Sequence, residues 1–398
     1  MADRVFLHVG APKTGTSYLQ RILWANKKRL RENGYLLPGS RQAHYQAMGD
    51  LRRGLWFDPD ASWTWGRLAS EAREFPGTVI ISEEMLGVAS REQAASALRQ
   101  LQPADIHVIV ACRDLWRSIP STWQQGVRAR SIGSFGTYVA GLQSGANPGF
   151  WASQWPVPIM ERWCRDIPPE NRHVITLPPP GADPLLLWER FSRVLGIEPA
   201  DYETDFPRGN VSLGAEETEL LRLINNELGD RFPLRAPYLH VVRRFLTQPV
   251  LMTRENDSIF GAPPEVAVWA EEKSGDLIAE LRAYPCDLTG DLSDLIPRIT
   301  AGVNSPDELS EEVLLKTAVE VIIGMLEHFE TTVQGMEDDL SETRVRAKNL
   351  RAQRDNARAR NKQLRRSLTE LRSRRDRRRI SQLVGRGLRV SRRGGRTH

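Results

Sequence analysis

The chain has 398 residues, 40% of them hydrophobic, and a formal net charge of +5, which is apolar content for one large or two ordinary domains and excludes a wholly disordered chain. No apolar run approaches the roughly 18 residues that cross a bilayer, and Met1-Ala2-Asp3-Arg4 leads directly into an apolar stretch, so neither a membrane span nor a secretory leader is expected and a cytoplasmic location is. Cys112, Cys164 and Cys286 are odd in number and lack ligand spacing, which argues for reduced thiols and against a disulfide framework or a zinc site.

In chain order, Val5-Phe6-Leu7 reads as a buried strand and His8-Val9-Gly10-Ala11-Pro12-Lys13-Thr14-Gly15-Thr16-Ser17 as a glycine-bearing turn. Tyr18 to Trp24 opens a helix expected to run to about Arg31. Two glycines let the backbone turn tightly and approach a ligand, and the helix start offers unpaired N–H donors and the positive end of its dipole. Lys13 adds a charge, while Thr14, Thr16 and Ser17 add hydroxyls, so the natural occupant is a phosphate or a group shaped like one. Gly10 and Gly15 have the spacing of the triphosphate loop G-x-x-x-x-G-K-[ST]. Thr16 stands where that loop has its lysine, however, and Lys13 lies two residues before Gly15.

Glu32-Asn33-Gly34 looks like a helix end, and Tyr35-Leu36-Leu37-Pro38-Gly39 like a short strand and turn. Residues 40–66 show little periodicity. They read as an aromatic loop region carrying Arg41, His44, Tyr45, Trp56, Trp63 and Trp65, whose rings suit either an acceptor pocket or core packing. A helix closes at residues 71–77, and Thr78-Val79-Ile80-Ile81 reads as a buried parallel strand ending in Ser82-Glu83-Glu84. Residues 90–101 are helical by pattern. Asp105 to Cys112 is a third strand, ending in Arg113-Asp114 and followed by a helix with Trp116, Ile119 and Trp123. Ligands of open α/β sheets bind at the carboxyl ends of the strands, which is where these polar residues fall.

At these junctions the sequence resembles the sulfotransferases that use 3′-phosphoadenosine 5′-phosphosulfate (PAPS). The segment Pro12-Lys13-Thr14-Gly15-Thr16-Ser17 is similar to their 5′-phosphosulfate loop. Arg113 and Ser121, eight residues apart, match the arginine and serine that in this family hold the 3′-phosphate. The chain looks most like the bacterial sulfotransferase-like proteins that begin with a His-x-Gly-x-Pro-Lys-Thr-Gly-Thr segment. The resemblance implies an α/β fold with a central, mostly parallel sheet flanked by helices, related to the P-loop nucleotide-binding fold, over roughly residues 1–300. It also implies PAPS as co-substrate, no metal, and a His or Glu near the end of the second core strand as the base. Glu84 is the first candidate, Glu83 the second and His8 the third. Lys13 is the candidate that stabilises charge on the leaving oxygen.

Further on, Val174-Ile175-Thr176-Leu177 is an expected strand and Pro184 to Leu195 an expected helix. The segment Arg208-Gly209-Asn210-Val211-Ser212-Leu213 resembles the element that closes over the cofactor in nucleotide sulfotransferases, making Arg208 and Asn210 candidate contacts; a structural turn is the alternative. Residues 214–230 read as a helix, and Asp287 to Leu292 as a turn-rich close. A helix beginning at Asn304-Ser305-Pro306-Asp307-Glu308 has an apolar face of Val313, Leu314, Ala318, Val321, Ile322 and Met325, expected to dock on the domain within residues 301–335.

The tail changes character. Residues 341–398 hold 21 Lys or Arg and 4 Asp or Glu, a net of +17, which leaves −12 for residues 1–340, so basicity is a property of the tail alone. From Met336 the positions Leu340, Thr343, Ala347, Leu350, Arg354, Ala357, Asn361, Leu364, Leu368 and Leu371 follow alternating steps of four and three. That pattern suggests a coiled-coil helix over residues 336–380 and a homo-oligomer through it; the alternatives are a solvated single helix or disorder. The remaining residues, 381–398, read as a basic, disordered end suited to an anionic inner-membrane surface or another polyanion.

The sequence therefore points to a sulfotransferase acting on a carbohydrate, lipid-linked or small-molecule acceptor by in-line displacement. Two alternatives stand beside it: a non-catalytic nucleotide-binding scaffold that recruits partners through its C-terminal helix, and a P-loop ATPase or kinase.

Overall fold

The computed structural model describes residues 2–52, 62–206, 212–231, 238–254, 260–299 and 305–391. Six strands form one sheet in the order β2-β3-β1-β4-β5-β6, every adjacent pair parallel. They are β1 (Arg4–Gly10), β2 (Tyr35–Leu36), β3 (Thr78–Ser82), β4 (Asp105–Cys112), β5 (Arg172–Thr176) and β6 (Asp287–Thr289). Between and after the first four lie α1 (Thr16–Ala25), α2 (Lys27–Glu32), α3 (Arg41–Leu51), α4 (Trp65–Glu74), α5 (Arg91–Leu101) and α6 (Leu115–Arg128).

The central strands read as almost continuous apolar runs because both faces of the sheet are covered. Val5, Leu7, Val9, Ile81, Val108 and Val110 face one layer, which includes Trp123 and Trp163. Phe6, Ile80, Ile109 and Ile175 face the other, built from Leu19, Ile22 and Leu23 of α1 with Trp188 and Phe191 of the helix Leu186–Leu195. Strand β1 pairs with β3 on one side and β4 on the other. Consecutive crossovers therefore diverge around it, and the loop after β1 occupies the crevice where an α/β sheet reverses its strand order.

Three expectations need correction. Residues 40–66 are not loop throughout: α3 starts at Ser40, whose hydroxyl accepts from the Ala43 N–H at 3.2 Å, and it buries Ala43, His44, Ala47 and Met48. That stripe is made of small residues and a histidine, so hydropathy underweights it. Trp56 lies outside the described residues. The long first helix divides at Asn26, whose amide donates to Ile22 O and Glu203 O. The turn-rich close contains β6, a three-residue strand too short for any period to register, whose Asp287 pairs with His173. There, at the end of the sheet remote from the β1 loop, Asp105, His107, His173 and Asp287 form a hydrogen-bonded row with links of 3.1, 2.9 and 2.9 Å that ties β4, β5 and β6 together.

The C-terminal helix runs from Glu311 to Ser391. It therefore extends into the segment 381–398, of which residues 392–398 lie outside the description. The chain divides into two compact units, residues 1–325 and 326–398. Within the first, the helix contributes Thr317 and Val321 as buried positions, with Leu314, Ala318 and Gly324 on the same stripe. A Cβ on Gly324 would lie 2.9 Å from Val250 Cγ1, a close approach that only glycine permits there. Arg254 joins Glu217 (2.8 Å) to Glu320 (2.7 Å), and Asp307 accepts from the N–H groups of Phe135 and Gly136. Val313, Ile322 and Met325 of the expected docking face remain exposed, so the buried stripe is narrower than the apolar one. In the second unit the described Leu, Ile, Met and Phe side chains of the helix are exposed, and Val333 is half-buried. No helix among the described residues is long and apolar enough to cross a membrane.

Candidate functional site

The loop between β1 and α1 begins with the Ala11 N–H bonded to Ala111 O of β4 at 2.9 Å, and Thr14 turns its hydroxyl back onto Ala11 O at 2.6 Å. Lys13 and Gly15 both take positive φ, 68° and 81°. For Lys13 this left-handed conformation carries a cost of order 1 kcal/mol, of the kind found at ligand-holding turns. At Gly15 the demand is double, since a Cβ there would also fall 2.4 Å from Leu187 Cδ2. No side chain caps α1, and the N–H groups of Lys13 through Ser17 donate to no described group. A run of free N–H donors ahead of an uncapped helix is an anion cradle.

Arg113, at the carboxyl end of β4, donates from Nη1 to Lys13 O at 3.0 Å. Its Nε is buried without a hydrogen-bond partner. Burial, and to a lesser degree the neighbouring Arg117, lower its pKa to about 10. Arg117 is held by Asp114, the N-cap of α6, and by Pro178 O at 3.0 Å, yet its Nη2 is also buried and unpartnered. Lys13 has its pKa lowered to about 8 by burial, then by Arg128 and Arg113, with Glu84 acting in the opposite direction. Lys13, Arg113 and Arg128 form no ion pair among the described residues. Among the described residues the Arg128 side chain reaches only Met252 Sδ, at 3.7 Å. Desolvated cations with no carboxylate at ion-pair distance are arranged for a ligand that brings negative charge.

Ser121 lies on α6, half-buried and with no side-chain hydrogen bond among the described residues, and Arg128 follows it on the same helical face seven residues later. Pro12, Thr14 and Thr16 are buried, while Gly15 and Ser17 are half-buried at the mouth of the loop. Arg208 and Asn210 lie outside the described residues.

Glu83 and Glu84 are not on β3, which ends at Ser82, but open the 3₁₀ turn Glu84–Val88. The turn is fixed from two helices: Arg52 at the end of α3 donates to Met85 O, and the helix Pro156–Trp163 supplies Trp163 Nε1 to Leu86 O and Arg162 to Gly87 O. Glu83 is buried and accepts from the Met85 N–H at 3.3 Å. Burial and the adjacent Glu84 carboxylate push its pKa up to about 8, so it keeps its proton at neutral pH. Glu84 is half-buried, and its Oε2 accepts from Gln20 Nε2 at 2.9 Å, an amide that also reaches Ser82 O at 3.3 Å. His8 is wholly buried. Its Nδ1 meets Ser82 Oγ at 2.9 Å, its ring lies 5.2 Å edge-on from Phe191, and burial lowers its pKa to about 4. Among the described residues, no three His, Cys, Asp or Glu side chains group as a metal site would.

Gln20, Arg117 and Arg128 were not singled out from the sequence. A signal existed for two of them: Gln20 interrupts the buried stripe Leu19, Ile22, Leu23, and Arg128 repeats the heptad step from Ser121.

No family model matches the chain, and no curated protein matches it. A solved structure of a sulfotransferase from Alicyclobacillus acidocaldarius is similar to it at 19% identity and a TM-score of 0.35, over 57% of this chain and 94% of that one.

Proposed function

We propose that the chain is a sulfotransferase that moves the sulfuryl group of PAPS to a hydroxyl or amine of a carbohydrate, lipid-linked or small-molecule acceptor. The observation that carries this reading is the coupling of two anion elements, the uncapped loop at Lys13 and the guanidinium of Arg113, through the 3.0 Å bond from Arg113 to Lys13 O. A nucleotide with anionic groups at both its 5′ and 3′ ends matches such a pair. A triphosphate chain presents charge at one end only, and the usual lysine of its loop is displaced here.

The residues fit that donor by their unmet bonding capacity. Lys13, Thr16, Ser17 and the loop N–H groups would hold the phosphosulfate, with Thr14 contributing its main-chain N–H because its hydroxyl already donates to Ala11 O, and Arg113 with Ser121 the 3′-phosphate, toward which the buried Nε of Arg113 is still unsatisfied. When bound, PAPS supplies an activated sulfuryl group on a nucleotide phosphate. Lys13 neutralises the charge that grows on the departing oxygen, and preorganised N–H donors at the helix start share that task. Glu84 takes the proton from the acceptor, because it is the half-buried acid, held by Gln20, whereas Glu83 is already protonated and occupied in the turn. His8 serves to pack β1 against β3. On this reading the catalytic domain spans residues 1–300.

Titration calorimetry with 3′-phosphoadenosine 5′-phosphate tests the site: micromolar binding is expected, and no heat at millimolar nucleotide rules the assignment out. Transfer of labelled sulfate from PAPS into a host lysate, followed by identification of the labelled product, tests the reaction.

A further inference from the structure

The exposed helix beyond residue 325 carries a seam whose charges specify what covers it. The four-three spacing does not begin at Met336; it continues upstream through Val333, Phe329 and Leu326. Leu326, Phe329, Met336, Leu340, Leu350, Leu364, Leu368 and Leu371 along that seam are each at least half exposed. The seam spans about six to seven heptads with eleven of its fourteen positions apolar, Thr343, Arg354 and Asn361 being the exceptions, against the three to four heptads that mark a coiled coil.

Charge along the helix is sharply divided. Residues 326–342 carry six Asp or Glu and no Lys or Arg, whereas residues 343–378 carry fifteen Lys or Arg and three Asp or Glu. A parallel, in-register pair would set Arg346 beside Arg351 and Arg360 beside Arg365 of the other chain, and stack Arg354 on itself at the centre of the seam. Reversing one helix removes these clashes and lays each acidic half along a basic half.

We propose that residues 326–371 pair with the same segment of a second copy of this chain as an antiparallel two-helix coiled coil. One register satisfies both seam and flanks. It layers Leu326 on Leu371, Phe329 on Leu368, Val333 on Leu364, Leu340 on Ala357 and Ala347 on Leu350, so large side chains meet smaller or matching ones; Met336 meets Asn361 and Thr343 meets Arg354, the two layers that hold polar residues. Its flanks set Glu330 against Arg365, Glu337 against Arg358 and Asp339 against Arg360, each twice by symmetry, and leave only Arg344 beside Arg351 as a like pair. The basic residues are thereby partly neutralised by the chain's own acids rather than by a polyanion.

Light scattering on the full-length protein at micromolar concentration is expected to give twice the 45.1 kDa chain mass. Glu337→Arg should weaken the dimer about tenfold, since two attractive pairs become two repulsive ones, and adding Arg358→Glu to the same chain should restore it. Both positions are solvent-exposed, so unchanged helical circular dichroism will separate lost pairing from lost folding. A monomeric wild type, or a dimer whose Glu337→Arg defect is not rescued by Arg358→Glu, overturns the proposal. In the parallel arrangement positions 337 and 358 face Thr332 and Gln353, so rescue is specific to the antiparallel one. Assembly that requires added DNA or anionic vesicles overturns it as well.

Discussion

Arg113 and Lys13, a hundred residues apart in the chain, are joined by a 3.0 Å hydrogen bond from the guanidinium of one to the main-chain carbonyl of the other. One side chain therefore fixes the loop after β1 and, on the proposed reading, keeps its remaining nitrogens for the 3′-phosphate. Arg113→Ala should lose both functions and weaken binding of 3′-phosphoadenosine 5′-phosphate about 10- to 100-fold, the range for a charge-assisted bond to a buried group. Arg113→Lys should recover little of this, because a single ammonium cannot bond Lys13 O and a phosphate in the fork geometry of a guanidinium. Calorimetry on the three proteins checks both statements.

Lys13 gives that binding a pH dependence. Its pKa in the free protein is lowered to about 8 by burial and by Arg128 and Arg113. An anion favours the protonated amine, so bound nucleotide raises this pKa, and affinity is full below about 8 and falls as pH rises through it. Nucleotide affinity measured from pH 6.5 to 9.5 should decline above pH 8 in the wild type. Lys13→Arg, whose charge persists across that range, should flatten the decline. An equally steep decline in Lys13→Arg would place the titrating group elsewhere.

Gly15 tests whether the loop is built for its ligand or merely tolerated. Gly15→Ala forces a Cβ onto a φ of 81° and to 2.4 Å from Leu187 Cδ2. Strain and overpacking together should cost about 2–4 kcal/mol of stability, measured by urea unfolding. Gly181, also at φ 81° but with nothing near its absent side chain, is the control: Gly181→Ala should cost only about 1 kcal/mol.

The sheet and the loop were legible because each depends on local pattern: apolar runs for β1, β3, β4 and β5, and glycine, lysine and hydroxyl chemistry between β1 and α1. Arg113 was legible because it stands at a strand end. The α3 helix was not, since its buried face is made of Ala43, His44 and Ala47, which carry little hydropathy and are held by a single capping serine. Arg128 escaped because its role comes from lying near Lys13 without a carboxylate, a relation between distant elements that no spacing records. The placement of Glu83 and Glu84 in a turn rather than on a strand likewise follows from Arg52, Arg162 and Trp163, which come from two helices far apart in the chain.

That turn separates the two acids, and their amide variants should separate with them. Glu84→Gln removes the carboxylate, bonded by Gln20 at 2.9 Å, that we propose as proton acceptor, and sulfate transfer should slow by about 10²- to 10⁴-fold while nucleotide affinity changes little. Glu83→Gln should leave transfer within a few-fold of wild type, because the group it replaces is already neutral and an amide oxygen can still accept from the Met85 N–H. Its effect should appear in stability instead. The folded pKa of Glu83, about 8, exceeds the ordinary 4.5, so its burial is harmless below pH 4.5 and increasingly costly as pH rises toward 8. Glu83→Gln should therefore raise the melting temperature at pH 8 and leave it unchanged at pH 4.5. Transfer abolished by Glu83→Gln and retained by Glu84→Gln would reverse the two assignments.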